Sequence, residues 1–145
     1  MMVYLKKENY FMTENIRIEE CLDCGQVAEH KLIIEKRRMR VLNEMVEADC
    51  QCWVCQNCGD GYYPYDENFE KKVTESKRRQ QGFLTGAEIK SIREMTGLSI
   101  PEFINLMKTY GGDCSESYYN GMENDTCCQN EKNEKAIREI AMTNK

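Results

Sequence analysis

Cys21-Leu-Asp-Cys24-Gly25 and Cys55-Gln-Asn-Cys58-Gly59 repeat one pattern, with 30 residues between the two pairs. Two residues between cysteines let both sulfurs reach one ion while a tight turn aims backbone N–H groups at them. The glycine after each second cysteine permits the positive φ that such a turn commonly needs. Two pairs complete a four-thiolate tetrahedral shell, the closed geometry of structural zinc, so Cys21, Cys24, Cys55 and Cys58 are the expected ligands and Zn2+ the expected cofactor. A redox dithiol is the competing chemistry for a single Cys-x-x-Cys. A catalytic metal would need an open position, and no nearby histidine or carboxylate offers itself as a replacement ligand. His30, the sole histidine, is expected to decorate a strand. Cys50 and Cys52 alternate away from Trp53 and Cys55; they could replace Cys55 in an alternative ligand set, but without the knuckle spacing and glycine they read as spare thiols. Cys114, Cys127 and Cys128 have no evident role. With no Gly-rich phosphate loop and no Ser/His/Asp set, the sequence does not read as an enzyme.

The elements that must position these cysteines are strands. Leu32, Ile33 and Ile34 mark one over residues 30–35, and residues 40–47 alternate Val41/Asn43/Met45 against Leu42/Glu44/Val46. The second strand is expected to run through Cys52 and Trp53 into the second knuckle. A two- or three-stranded antiparallel ribbon pinned by the metal follows, with Lys36, Arg37, Arg38 and Arg40 as a basic cluster at the hairpin tip. Residues 66–82 then read as a charged helical connector: Phe69 and Val73 share a face, acids precede cations as the helix dipole favours, and Gly82 stops it.

The remainder, residues 83–145, is helical in pattern. Thr85 and Glu88 have capping-box spacing before Ile89, Ile92 and Met95, and Gly97 closes that helix. Ser99 and Glu102 repeat the box, with Pro101 in the first turn and an apolar face of Phe103, Leu106 and Met107. A third helix is expected over 113–119, closed by Asn120-Gly121, and a fourth over 129–142. Short helices with a tight turn describe a helix-turn-helix bundle. The fold class expected is α+β: a small antiparallel β module bound to zinc through four cysteines (1–65), the connector (66–82) and an all-α helix-turn-helix domain (83–145).

Net charge is −5, and both halves are acidic: residues 1–82 carry 13 cations and 15 acids, residues 83–145 carry 7 and 10. That balance is unlike a protein that grips nucleic acid through bulk charge. No apolar run reaches membrane-spanning or signal-peptide length, so no membrane partner and a cytoplasmic location are expected. Residues 1–15, with Tyr4, Tyr10 and Phe11 among charges, admit an extra strand, a disordered arm or a partner-binding segment.

The order Cys-x-x-Cys-Gly, strand hairpin, Cys-x-x-Cys-Gly, charged connector, helix-turn-helix resembles the MqsA/YgiT-type antitoxins, a family of zinc-finger and helix-turn-helix transcriptional regulators. The resemblance runs over roughly residues 18–142. Its most specific stretches are Gly82-Phe-Leu-Thr-Gly-Ala-Glu-Ile-Lys-Ser-Ile-Arg-Glu-Met-Thr-Gly-Leu-Ser99 and Tyr118-Tyr119-Asn120-Gly121. It implies an XRE/Cro-like C-terminal domain that forms a homodimer and binds operator DNA, and a zinc domain that stabilises the protein or holds a toxin. Carried onto this chain, Lys108, Asp113, Cys114, Ser115, Glu116, Ser117 and Asn120 would face DNA. Asp113 and Glu116 depart from the family's usual Lys, Arg, Thr or Asn and repel phosphates, although an acid can accept from a cytosine amino group. The expected function is therefore an antitoxin-like transcriptional regulator. The alternative is a protein-binding inhibitor that keeps the fold and has lost DNA binding, its acidic helix suited to a basic partner.

Overall fold

A computed structural model describes residues 15–144. Its order is β1 (Ile16–Glu20), β2 (Val27–Val41), β3 (Glu44–Cys55), β4 (Gly61–Tyr62), α1 (Glu67–Gln81), α2 (Gly86–Thr96), α3 (Ile100–Thr109), α4 (Glu116–Glu123) and α5 (Glu131–Thr143). The α+β class is as expected. The strands form one sheet in the order β1-β2-β3-β4, so among the described residues the ribbon has four strands rather than two or three. Two compact units gather from the chain. One is Met1–Arg38 with Glu47–Asp66, described from residue 15 onward; the other is Met39–Val46 with Glu67–Lys145. The open question over the extreme N-terminus falls on residues 1–14, outside the described residues; Ile16 already belongs to β1.

In the first unit β1 pairs antiparallel with β2, Ile16 facing Lys31 and Glu20 facing Val27. β4 pairs antiparallel with the end of β3, Trp53 facing Tyr62. Little apolar material is enclosed: Trp53 is buried with Cys21, Cys50, Cys52, Cys55 and His30. Polar side chains supply much of the rest. The Arg17 guanidinium lies 4.3 Å over the Trp53 ring and donates to Tyr62, whose hydroxyl donates in turn to Glu19 at 2.6 Å. The Tyr63 hydroxyl donates to Glu35, which pushes its pKa up to about 12.

The basic run Lys36–Arg40 is not a hairpin tip. It lies within β2, and the chain reverses instead at Leu42–Asn43. Leu42 takes φ +56° there, so this two-residue turn forms with no glycine or proline to announce it. Lys36 pairs with Asp49 (3.9 Å) and Arg38 with Glu47 (3.1 Å), cross-strand partners that a turn at 42–43 brings opposite each other.

The second unit holds that hairpin end against α1. The Gln80 side chain accepts from Asn43 N–H and donates to Val41 C=O. The Glu44 carboxylate takes both Arg79 guanidinium nitrogens, at 2.6 and 3.0 Å, and the Ser76 hydroxyl at 2.8 Å. The Arg79 bond, then that of Ser76, lowers the Glu44 pKa to about 2. Both capping boxes form as the sequence predicts, Thr85 with Glu88 and Ser99 with Glu102, and Gly97 closes α2 in the left-handed region at φ 74°. The core joins Ile89, Phe103, Ile104, Met107, Tyr119, Met122, Ala136, Ile137 and Ile140. Each large apolar side chain buried there contributes about 1.5–3 kcal/mol.

The third of the expected helices starts later and runs longer than its pattern suggests. Ser115 is the N-cap of α4, accepting from Tyr118 N–H, and Asn120-Gly121 lies inside the helix rather than closing it. Gly121 serves packing: a Cβ there would stand 2.6 Å from Cys127 Sγ.

Candidate metal centre

Each knuckle is built the same way. Cys21 N–H donates to Gln26 C=O and Gly25 N–H returns to Cys21 C=O. In the second, Cys55 N–H donates to Asp60 C=O and Gly59 N–H returns to Cys55 C=O, all at 2.8–2.9 Å. Gly25 and Gly59 take φ of +76° and +85°, the left-handed turn conformation for which the sequence supplies glycine. Two identical loops thus present their cysteines from the β1–β2 connection and the end of β3.

The four sulfurs of Cys21, Cys24, Cys55 and Cys58 all lie within 4.8 Å of one another, the one such group among the described residues. Cys21 Sγ is 3.7 Å from Cys58 Sγ, and Cys24 Sγ is 4.0 Å from Cys55 Sγ. Thiolates bound tetrahedrally at about 2.3 Å would stand about 3.8 Å apart, so the donors are positioned to hold a metal ion. Cys55 is fully buried and Cys21 nearly so, while Cys24 is half-buried and Cys58 exposed. One side of the cluster is therefore seated in protein and the other meets solvent.

Asn57 was not singled out by the sequence, yet it serves two of the clustered cysteines. Its backbone N–H donates to Cys55 Sγ at 3.4 Å and its amide to Cys24 Sγ at 3.5 Å. Chiefly through that amide, the Cys24 thiol is lowered to about 7. Cys58 moves the other way, to about 12: the Asp60 N–H draws it down, but burial and the thiols of Cys21, Cys55 and Cys24 raise it more. An asparagine inside the second Cys-x-x-Cys was the available sequence signal for this role.

The other thiols lie elsewhere. Cys50 and Cys52 are buried on β3, and burial, reinforced by Asp66 at Cys50 and Glu35 at Cys52, pushes both pKa values up. His30 is buried in β2 with Nδ1 3.0 Å from Ala28 C=O, in the strand role expected for it. Cys114, Cys127 and Cys128 are half-buried in the helical unit.

The residues expected to face DNA cluster around the start of α4. Asp113 and Cys114 precede the helix, Ser115 caps it, Glu116 and Ser117 form its first turn, and Asn120 follows one turn on. Asp113, Ser115, Glu116, Ser117 and Asn120 are exposed and Cys114 is half-buried. Lys108, at the end of α3, turns its ammonium to Asp113 at 3.9 Å. Among the described residues no helix is long and apolar enough to cross a membrane. No family model matches the chain, and neither the curated proteins nor the solved structures contain a match to it.

Proposed function

We propose that the chain is a zinc-stabilised binding protein in which the metal is structural and the helical unit engages a protein partner. Cys21, Cys24, Cys55 and Cys58 would hold the zinc. An all-thiolate shell with one face seated in protein leaves no place for a reacting ligand, so the ion supplies cohesion to a unit with little apolar core.

The observation that carries the partner reading is the charge at the start of α4. Its exposed approach presents Asp113, with a side chain 80% accessible, and Glu116, while Lys108 is already drawn to Asp113. Phosphate contacts through cations supply most non-specific DNA affinity, and this surface would repel them. A basic protein surface is the complementary occupant. The operator-binding reading draws on a different observation, the packing of α3 on α4 across a short connection, since the two helices of a helix-turn-helix are consecutive and packed together.

Titrating the metal-loaded chain with its own gene's upstream DNA, at low and moderate salt against scrambled competitor, separates the two. The expected result is no sequence-selective complex at either salt. A selective complex that weakens steeply with salt would make the chain a regulator instead.

A further inference from the structure

Among the described residues, the sheet has an edge that no strand fills. β1 pairs with β2 from Ile16–Lys31 to Glu20–Val27, and one further bond, Leu32 N–H to Asn15 C=O at 2.9 Å, extends the ladder by a residue. β2 continues to Val41. Beyond Leu32 its outer edge meets no strand among the described residues.

Strand geometry says which groups that edge offers. In an antiparallel ladder, alternate residues turn N–H and C=O to opposite neighbours. Leu32 points outward, toward β1, so Ile34, Lys36 and Arg38 point outward too. The turn at Leu42–Asn43 requires the same phase, since Val41, Met39, Arg37 and Glu35 must face β3. The outward residues also share one sheet face, and they are open to solvent. Ile34 is 63% exposed, and the Lys36 and Arg38 side chains are 54% and 64% accessible.

The chemistry of an occupant follows from charge. Residues 31–40 hold Lys31, Lys36, Arg37, Arg38 and Arg40 against Glu35 alone, in a chain of net charge −5. Asp49 and Glu47 flank Lys36 and Arg38 from the β3 side, and an acidic strand on the open side would flank them from the other. A second copy of this edge would instead set Lys36 and Arg38 against their own counterparts, which is unfavourable.

We propose that the outer edge of β2 at Ile33–Arg38 takes up an extended, acid-rich peptide segment of a partner protein as an added strand. Main-chain hydrogen bonds to Ile34, Lys36 and Arg38 hold it, and the cation row selects it. This surface is separate from the start of α4, and its test does not depend on what that helix binds.

The test uses the full metal-loaded chain and a synthetic peptide alternating glutamate and valine, with a lysine–valine peptide as control, followed by calorimetry and amide exchange. The glutamate peptide is expected to bind and the lysine peptide not to. On binding, the amides of Ile34, Lys36 and Arg38 gain protection, while those of Glu35 and Arg37, already bonded to β3, change little. Lys36→Pro removes one outward N–H without touching the β3 ladder and should abolish binding with the circular dichroism unchanged. The double variant Lys36→Glu with Arg38→Glu should weaken it by about tenfold or more. Equal binding of both peptides, binding without protection at the three amides, or full binding by Lys36→Pro would overturn the proposal. So would binding that appears only after residues 1–14 are deleted, which would assign the edge to the chain itself.

Discussion

Cys52 and Cys55 lie on one strand and both are buried, yet only Cys55 joins the four-sulfur cluster. Strand alternation turns Cys52 to the opposite side, where its Sγ lies against Gly61, close enough to stand 2.9 Å from a Cβ placed there. Burial and Glu35 keep Cys52 a thiol, and a thiol is a poor ligand. Cys55→Ser is expected to drop metal content well below one ion per chain, whereas Cys52→Ser keeps it, as read by elemental analysis of the purified variants. Full metal retention by Cys55→Ser would remove it from the ligand set. The four-cysteine cluster was legible because Cys-x-x-Cys-Gly is a local geometry written in consecutive residues. The Asn57 amide was not, because its acceptor, Cys24, comes from the other knuckle and depends on how the two loops meet.

α1 looks in sequence like a solvated helix, with Arg78 and Arg79 adjacent and alike. The fold separates them. Arg79 stays at the surface with Glu44, while Arg78 is 4% exposed and donates to Gln129 Oε1, Asp125 Oδ1, Met122 C=O and Cys127 C=O. Gln129 passes the network on to Leu84 C=O and Glu134. Asp125, held at φ +66°, also accepts from Gly86 N–H at the first residue of α2. Arg78→Ala would strand several buried acceptors, and a loss of about 3–5 kcal/mol in urea unfolding is expected. Arg79→Ala should cost no more than about 1 kcal/mol. Equal effects would mean that burial of Arg78 contributes nothing. Helix starts were readable where a capping box fixed them, at Thr85 and Ser99. The span of α4 was not, since Gly121 resembles a terminator and acts as a spacer for Cys127, a contact with a residue in the following loop.

For the molecule as a whole, the two units draw on different sources of cohesion. The first encloses Trp53, His30 and cysteines, and structural zinc in small domains supplies roughly 10–16 kcal/mol of binding free energy that doubles as folding free energy. The second has an apolar core of its own. Chelation is therefore expected to collapse the first unit while the helical circular dichroism and the amide protection of α2–α5 persist. Simultaneous loss of both would show a single cooperative unit. The α+β composition was open to reading from periodicity, because strand alternation and capping signals are local. The grouping of Met39–Val46 with the helices was not, since it rests on Glu44 and Asn43 finding Ser76, Arg79 and Gln80, which lie 32 to 37 positions further along the chain.

That same hairpin end sets an order of events during synthesis. All four clustered cysteines are outside the ribosome once Cys58 emerges, so the group could take up a metal before the helices that follow have emerged. The turn at Leu42–Asn43 is by then also complete, but its partners on α1 arrive only with Gln80. For the time it takes to add those residues, at about 5–20 per second, the nascent chain carries a complete four-cysteine cluster and an unclaimed β turn, and chaperones or proteases would meet it in that half-made form.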